Sequence, residues 1–111
     1  MPFEIIISED FERDASALAR RHRSLLNDIE QLMAQLAVNP AMGTPIGKNC
    51  YKIRMAITSK GKGKSGGARV ITCVKIVAQN VHLVSIFDKS DMENISEKEL
   101  TQRLKRIFEG E

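Results

Sequence analysis

Two hydrophobic periods alternate along this chain, and each change of period marks an element. Phe3 to Ile7 is short, apolar and β-branched, which predicts a strand. Ser8 followed by Glu9 and Asp10 is a helix start: a capping hydroxyl, then acids where the helix dipole favours them. Phe11, Ala15 and Leu18 repeat at helical spacing and define a buried stripe. The basic cluster Arg20 to Arg23 interrupts it, and the stripe resumes at Leu25/Leu26, Ile29, Leu32/Met33 and Leu36 as a second amphipathic helix. Asn39-Pro40 ends that helix, because the residue before proline is pushed out of the α region.

Gly43 to Gly47 reads as loop. Tyr51 to Ile57 then alternates as a strand should, with Tyr51, Ile53, Met55 and Ile57 on one face and Lys52 and Arg54 on the other. A glycine- and lysine-rich link, Ser59 to Gly67, leads to a long Val/Ile-rich strand over Ala68–Val77. Ala78-Gln79-Asn80 is a tight turn into a further strand, Val81–Phe87. The last helix carries a capping box, Ser96 with Glu99, and a hydrophobic staple, Ile95 with Leu100. Leu100, Leu104 and Ile107/Phe108 line its apolar face, Arg103, Lys105 and Arg106 suit the dipole in its last turns, and Gly110 closes it. The pattern predicts an α+β fold: a small antiparallel twisted sheet with an N-terminal helical hairpin and a C-terminal helix. The 111 residues fit one domain spanning 1–111, without internal repeats.

Composition adds one decisive asymmetry. Between Glu30 and Asp88 there is no acidic residue, while Lys48, Lys52, Arg54, Lys60, Lys62, Lys64, Arg69 and Lys75 fall in that stretch. The rest of the chain has nine basic residues against all 14 acidic ones, a balance of −5. A basic middle between mildly acidic flanks suits a localised polyanion-binding surface, and equally a solvated, solubilising face. No apolar stretch approaches the length of a membrane span, and the start lacks the basic-then-apolar order of a leader. Cys50 and Cys73 have no metal-ligand spacing, so a cytoplasmic protein with two reduced, buried thiols is expected.

The chemistry concentrates between Tyr51 and Arg69. Lys60, Lys62 and Lys64 alternate with Gly61 and Gly63, and Gly66-Gly67 follow, so the backbone can approach a partner closely. Lysines one residue apart on an extended chain can follow a phosphodiester backbone, and Arg54 and Arg69 offer planar forks for a phosphate. Gly63-Lys64-Ser65 is the end of a nucleotide-binding P-loop, but Thr58 stands where that pattern requires glycine and no helix follows. His22 and His82 are isolated, no carboxylate lies near the basic loop in sequence, and no metal or cofactor is implied. What remains is a cationic pocket suited to a doubly charged phosphorane-like transition state, with a loop lysine of depressed pKa as the base. A basic loop that binds nucleic acid without cutting it is the competing reading.

Tyr51 to Arg54, the Lys60-to-Arg69 loop, and Ser85 to Ser90 with Glu93-Asn94-Ile95 resemble the RelE/HigB-type toxins of the RelE/ParE superfamily. The resemblance is strongest from Tyr51 to Leu100 and weak before Asn39. It implies the toxin of a type II toxin–antitoxin system: a ribosome-dependent, metal-independent mRNA endoribonuclease that blocks translation from the ribosomal A site by 2′-hydroxyl attack. It also implies a cognate helix-turn-helix antitoxin, through which operator DNA is bound indirectly. Catalytic roles fall on Arg54, Lys62, Lys64, Arg69 and Lys89. Arg54 and Arg69 would bind the scissile phosphate, Lys62 or Lys64 would move a proton or hold charge, and Lys89 would close the site. RNA binding falls on Lys52, Arg54, Lys60, Lys62, Lys64 and Arg69. One departure matters: the C-terminal Tyr or His of several such toxins is absent here. The ParE branch shares the fold but inhibits DNA gyrase without cutting RNA, and a plain RNA-binding module is a further alternative.

Overall fold

The computed structural model describes residues 2–109. The elements run β1 (Glu4–Ile7), α1 (Glu9–Ala19), α2 (Leu25–Val38), β2 (Thr44–Gly47), β3 (Cys50–Met55), a 3-10 turn (Thr58–Lys60), β4 (Ala68–Lys75), β5 (Asn80–Asp88) and α3 (Glu97–Phe108). The strands form one five-stranded sheet in the order β1-β5-β4-β3-β2. The α+β architecture matches the expected one, with two differences. Residues 44–47, expected as loop, form an exposed edge strand, joined to β3 by Lys48 and Asn49 at φ 57° and 61°. Two consecutive positive φ values make the tight turn whose twist suits a hairpin. The sheet is also mixed rather than wholly antiparallel, because β1 runs parallel to β5 with Ile5 opposite Val81. The long path through both helices delivers β1 to that edge in the same direction as β5. The expected closure of α3 by Gly110 lies outside the described residues.

The two faces of the sheet bury different helices. Phe11, Leu18, Leu25, Ile29 and Leu36 of the hairpin pack against Ile53, Val70, Val81 and Leu83. Leu100 of α3 packs on the opposite face against Ile71, Val84 and Phe87, with Ile95 and Leu104 partly covering it. Each fully buried Leu or Phe contributes about 1.5–3 kcal/mol, so the hairpin face carries most of the apolar stabilisation. Cys50 and Cys73 are buried free thiols facing each other across β3 and β4. Ser8 and Ser96 cap their helices as the sequence predicts. Between β4 and β5 the register slips by one: Thr72 faces Leu83 but Ile71 faces Ser85, leaving Val84 as a bulge.

Polar side chains complete what the short first strand leaves open. β1 ends at Ile7 opposite Leu83, and beyond it the outer edge of β5 has no strand partner. Asp14 accepts from the Ile86 N–H (3.3 Å), and Arg103 donates to the Val84 carbonyl (3.1 Å). The two side chains pair with each other at 2.6 Å. An ionic clasp thus satisfies the edge and ties α3 to α1. The Glu99 carboxylate is drawn forward to Arg103 (2.8 Å).

A second polar centre fixes the basic link. Asp88, 0% exposed, accepts from Lys60 Nζ (2.7 Å), the Ser90 hydroxyl (2.8 Å) and the Ser90 N–H (2.9 Å), with His22 Nε2 at 3.0 Å and Arg21 at 3.5 Å. Burial alone would raise its carboxyl pKa. The hydrogen bonds from Lys60, Ser90 and His22 outweigh it and hold the group well below the usual carboxylate range. Asp28, from the first turn of α2, accepts from the Thr58 N–H (3.0 Å) and hydroxyl. At the far end the Lys89 N–H donates to the Gly67 carbonyl (3.0 Å). A side chain on Gly67 would collide with the Met55 carbonyl, so only glycine lets the link cross β3 there. The link, expected to have no carboxylate near it, is pinned by two that are distant in sequence. Among the described residues no helix is long and apolar enough to cross a membrane.

Two outcomes follow from the clasp and from Asp88. Arg103→Ala should cost roughly 1–3 kcal/mol in chemical denaturation, with the α3 amides losing hydrogen-exchange protection before those of β4; unchanged stability would show that the clasp does not hold α3. Because the folded pKa of Asp88 is depressed, its contribution is fully present above the unfolded carboxylate value. It is lost as pH falls below about 4 towards the folded value. Asp88→Asn should therefore be weaker than the wild type at neutral pH and show a flatter loss of stability through that acid window. Parallel acid profiles would contradict the pairing.

A cationic cleft as candidate active site

The residues of the candidate site come from four elements, and the sheet divides them between its faces. In β3, Lys52 and Arg54 point away from Ile53 and Met55, onto the face that α3 covers farther along. Arg69 of β4 lies directly opposite Arg54, and Phe87 flanks it on β5. Lys89 follows the end of β5. Lys52, Arg54, Arg69 and Lys89 line one cleft of about 370 Å³, walled by Thr44 and Ile46 of β2 and by Glu93 and Asn94 before α3. β2, whose residues the sequence predicts as loop, is therefore a wall of the site.

Arg54 and Arg69 form the centre of the cleft. Like charges at directly facing positions of antiparallel strands are destabilising, so the pair is best satisfied by an anion between or before them. Arg69 is only 4% exposed, and its guanidinium donates to the carbonyls of Lys64 (3.1 Å), Ala68 (3.2 Å) and Ser65 (3.2 Å). Burial, then the neighbouring Arg54, lowers its pKa from the ordinary arginine value. Arg69 therefore fastens the link to the sheet while it adds charge to the cleft floor. Arg54 is exposed and makes the more available phosphate fork.

The three loop lysines separate. Lys60 turns to the hairpin face, where Asp88 takes up its ammonium. Lys64 is exposed and lines, with Arg54, a second cavity of about 160 Å³ between α2 and the end of β3, beside Gln31 and Gln35. Lys62 is exposed, with its stem against Gly66. Of the residues proposed from the sequence, Lys52, Arg54, Arg69 and Lys89 converge, Lys64 borders them, Lys62 stands out into solvent, and Lys60 is engaged elsewhere. Glu93 and Asn94 were not read as site residues. Lys52 Nζ reaches the Glu93 carbonyl (3.3 Å) and the Asn94 side-chain oxygen (2.9 Å), which fixes that segment over the cleft. The hints in the sequence were their place just before the last helix and their share in the family resemblance.

A larger cavity of about 480 Å³ lies under the end of α3, beside Asp10, Arg13 and Arg106. Its charges are paired with one another, Arg13 at 3.1 Å and Arg106 at 3.0 Å from Asp10, so it presents no unbalanced field. Among the described residues no group of three or more His, Cys, Asp or Glu is placed to hold a metal ion.

Known proteins share this fold. The chain is similar to an arginine-to-alanine double variant of E. coli toxin RelE in the free state, with TM-score 0.62 and 17% identity over 97% of this chain and 100% of that one. The isolated E. coli RelE toxin matches with TM-score 0.60 and 16% identity over 96% and 99% of the two chains. The RelBE2 toxin–antitoxin complex from Mycobacterium tuberculosis matches with TM-score 0.59 and 15% identity over 79% and 92%. At such identities these likenesses establish the fold. The family model described as "RelE toxin of RelE / RelB toxin-antitoxin system" matches residues 5–108. A match over nearly the whole length, on the fold those toxins adopt, identifies the chain as a member of the RelE toxin family of RelE/RelB toxin–antitoxin systems.

Proposed function

We propose that the chain is a ribosome-dependent mRNA endoribonuclease acting in the cytoplasm, and that a cognate helix-turn-helix antitoxin silences it and carries it to operator DNA. The observation behind this reading is the convergence of Lys52, Arg54, Arg69 and Lys89 on one open cleft. Attack of an RNA 2′-hydroxyl on its own phosphate places a second negative charge on the phosphoryl oxygens. Fixed cations that meet that charge lower the barrier without reorganising. Arg54 supplies the fork, Lys89 approaches from the end of β5, and Arg69 supports from the floor. Lys64, beside Arg54, follows the RNA backbone out of the cleft. A gyrase inhibitor on the same fold would have no need of facing arginines in an open cleft, and this favours the nuclease over the ParE-like alternative.

Exposed apolar side chains, Leu26, Val38, Ile76 and Val77, support a partner that covers part of the surface. Co-expression with the adjacent reading frame should raise the yield and co-purify a small helix-turn-helix protein. A harmless, well-expressed monomer made alone would count against the pair.

For the cleft itself, Arg54→Ala combined with Lys89→Ala should lower cleavage by about 10²–10³-fold or more while the fold persists. Sequencing of mRNA 5′ ends after induction should show codon-phased breaks with the wild type and none with the variant. DNA breaks without new mRNA ends would instead identify gyrase as the target.

A further inference from the structure

The cleft has cations to stabilise charge, but Lys62 and Lys64, expected from the sequence to move the proton, do not line it. Arginine does not deprotonate in proteins, and a lysine ammonium offers three donors and no acceptor. Among the described residues that line the cleft, Glu93 is the only acidic one. Its main chain and its neighbour Asn94 are held there by Lys52, at 3.3 and 2.9 Å. Its carboxylate enters no ion pair or hydrogen bond among the described residues, although four cations line the same space. Other acids near the basic link are engaged: Asp88 by Lys60, His22 and Ser90, and Asp28 by Thr58 and Ser24.

We infer that Glu93 is the general base of the RNA cleavage, with Lys52 as the residue that positions it; this rests on the nuclease reading above. The Glu93 carboxylate accepts the proton as the O2′–H bond breaks. O2′ then bonds to phosphorus, and the P–O5′ bond breaks with its electron pair going to O5′. The Lys89 ammonium gives O5′ a proton. The products are a 2′,3′-cyclic phosphate and a 5′-hydroxyl. Glu93 returns its proton through water to Lys89, so no other co-reactant is consumed.

The test is single-turnover cleavage of a defined mRNA on programmed ribosomes, followed across pH for the wild type, Glu93→Gln and Glu93→Asp. General-base loss is expected to slow Glu93→Gln by about 10²–10⁴-fold at saturating toxin. The rise of rate with pH on the acid side should be absent in that variant. Glu93→Asp should recover part of the rate and the rise, and all three proteins should melt alike. If Glu93→Gln cleaves at the wild-type rate with the same pH profile, or loses only affinity for the programmed ribosome, the assignment to Glu93 falls and the nuclease reading stands. If the wild type itself leaves the mRNA intact on the ribosome, the nuclease reading falls and takes the assignment with it.

Discussion

A carboxylate without solvent, Asp88, organises the working end of this molecule. A buried carboxylate left without partners costs several kcal/mol, so its position is tolerable only while Lys60, His22, Arg21 and Ser90 stay where they are. Those partners belong to the helical turn, the basic link and the segment after β5. One anion therefore sets three pieces of chain relative to each other. The link it holds at Lys60 is the same one that Arg69 grips from the other side of the sheet. The rim of the cleft takes its shape from a charge that never faces the cleft.

The facing arginines show the opposite economy. Arg54 and Arg69 are placed where their repulsion weakens the sheet, and the loop carbonyls only partly relieve it. Arg69 has a folding role in fastening the link, but folding alone offers no reason to set Arg54 opposite it, when Lys60 shows that this chain can neutralise a cation with a buried acid. An unneutralised pair on a rigid sheet is preorganised for a partner that brings negative charge with it. On the nuclease reading proposed above, that partner is RNA.

The sequence carried the helices and central strands well, because their signals are local: Ser8 and Ser96 cap where expected, and the stripes at Phe11–Leu18 and Leu25–Leu36 are the buried ones. It missed β2, because the turn that creates it is built on Lys48-Asn49 rather than on the usual glycine pair. Alternation reports which face a residue occupies but not which way a strand runs, so the parallel pairing of β1 was invisible. In the site, the cluster of cations was legible and its distribution was not. Lys60 meets Asp88 28 residues away, and Arg103, expected to answer only the helix dipole, meets Asp14 89 residues away. Glu93 lay in plain view but without a periodicity to mark it.

The bulge at Val84 decides where Asp88 points. Along β5, Val81 and Leu83 face the hairpin, and simple alternation would send Ile86 and Asp88 to the opposite side. The extra residue inverts the parity of everything after it, so Ile86 joins the hairpin core and Asp88 meets Ala68 on that side. In an uninterrupted strand the acid would project beside Arg69 and cancel the field of the cleft from within. One inserted residue thus sorts the charges of the strand's end, the acid to one side and Phe87 to the other, and leaves the floor of the cleft positive.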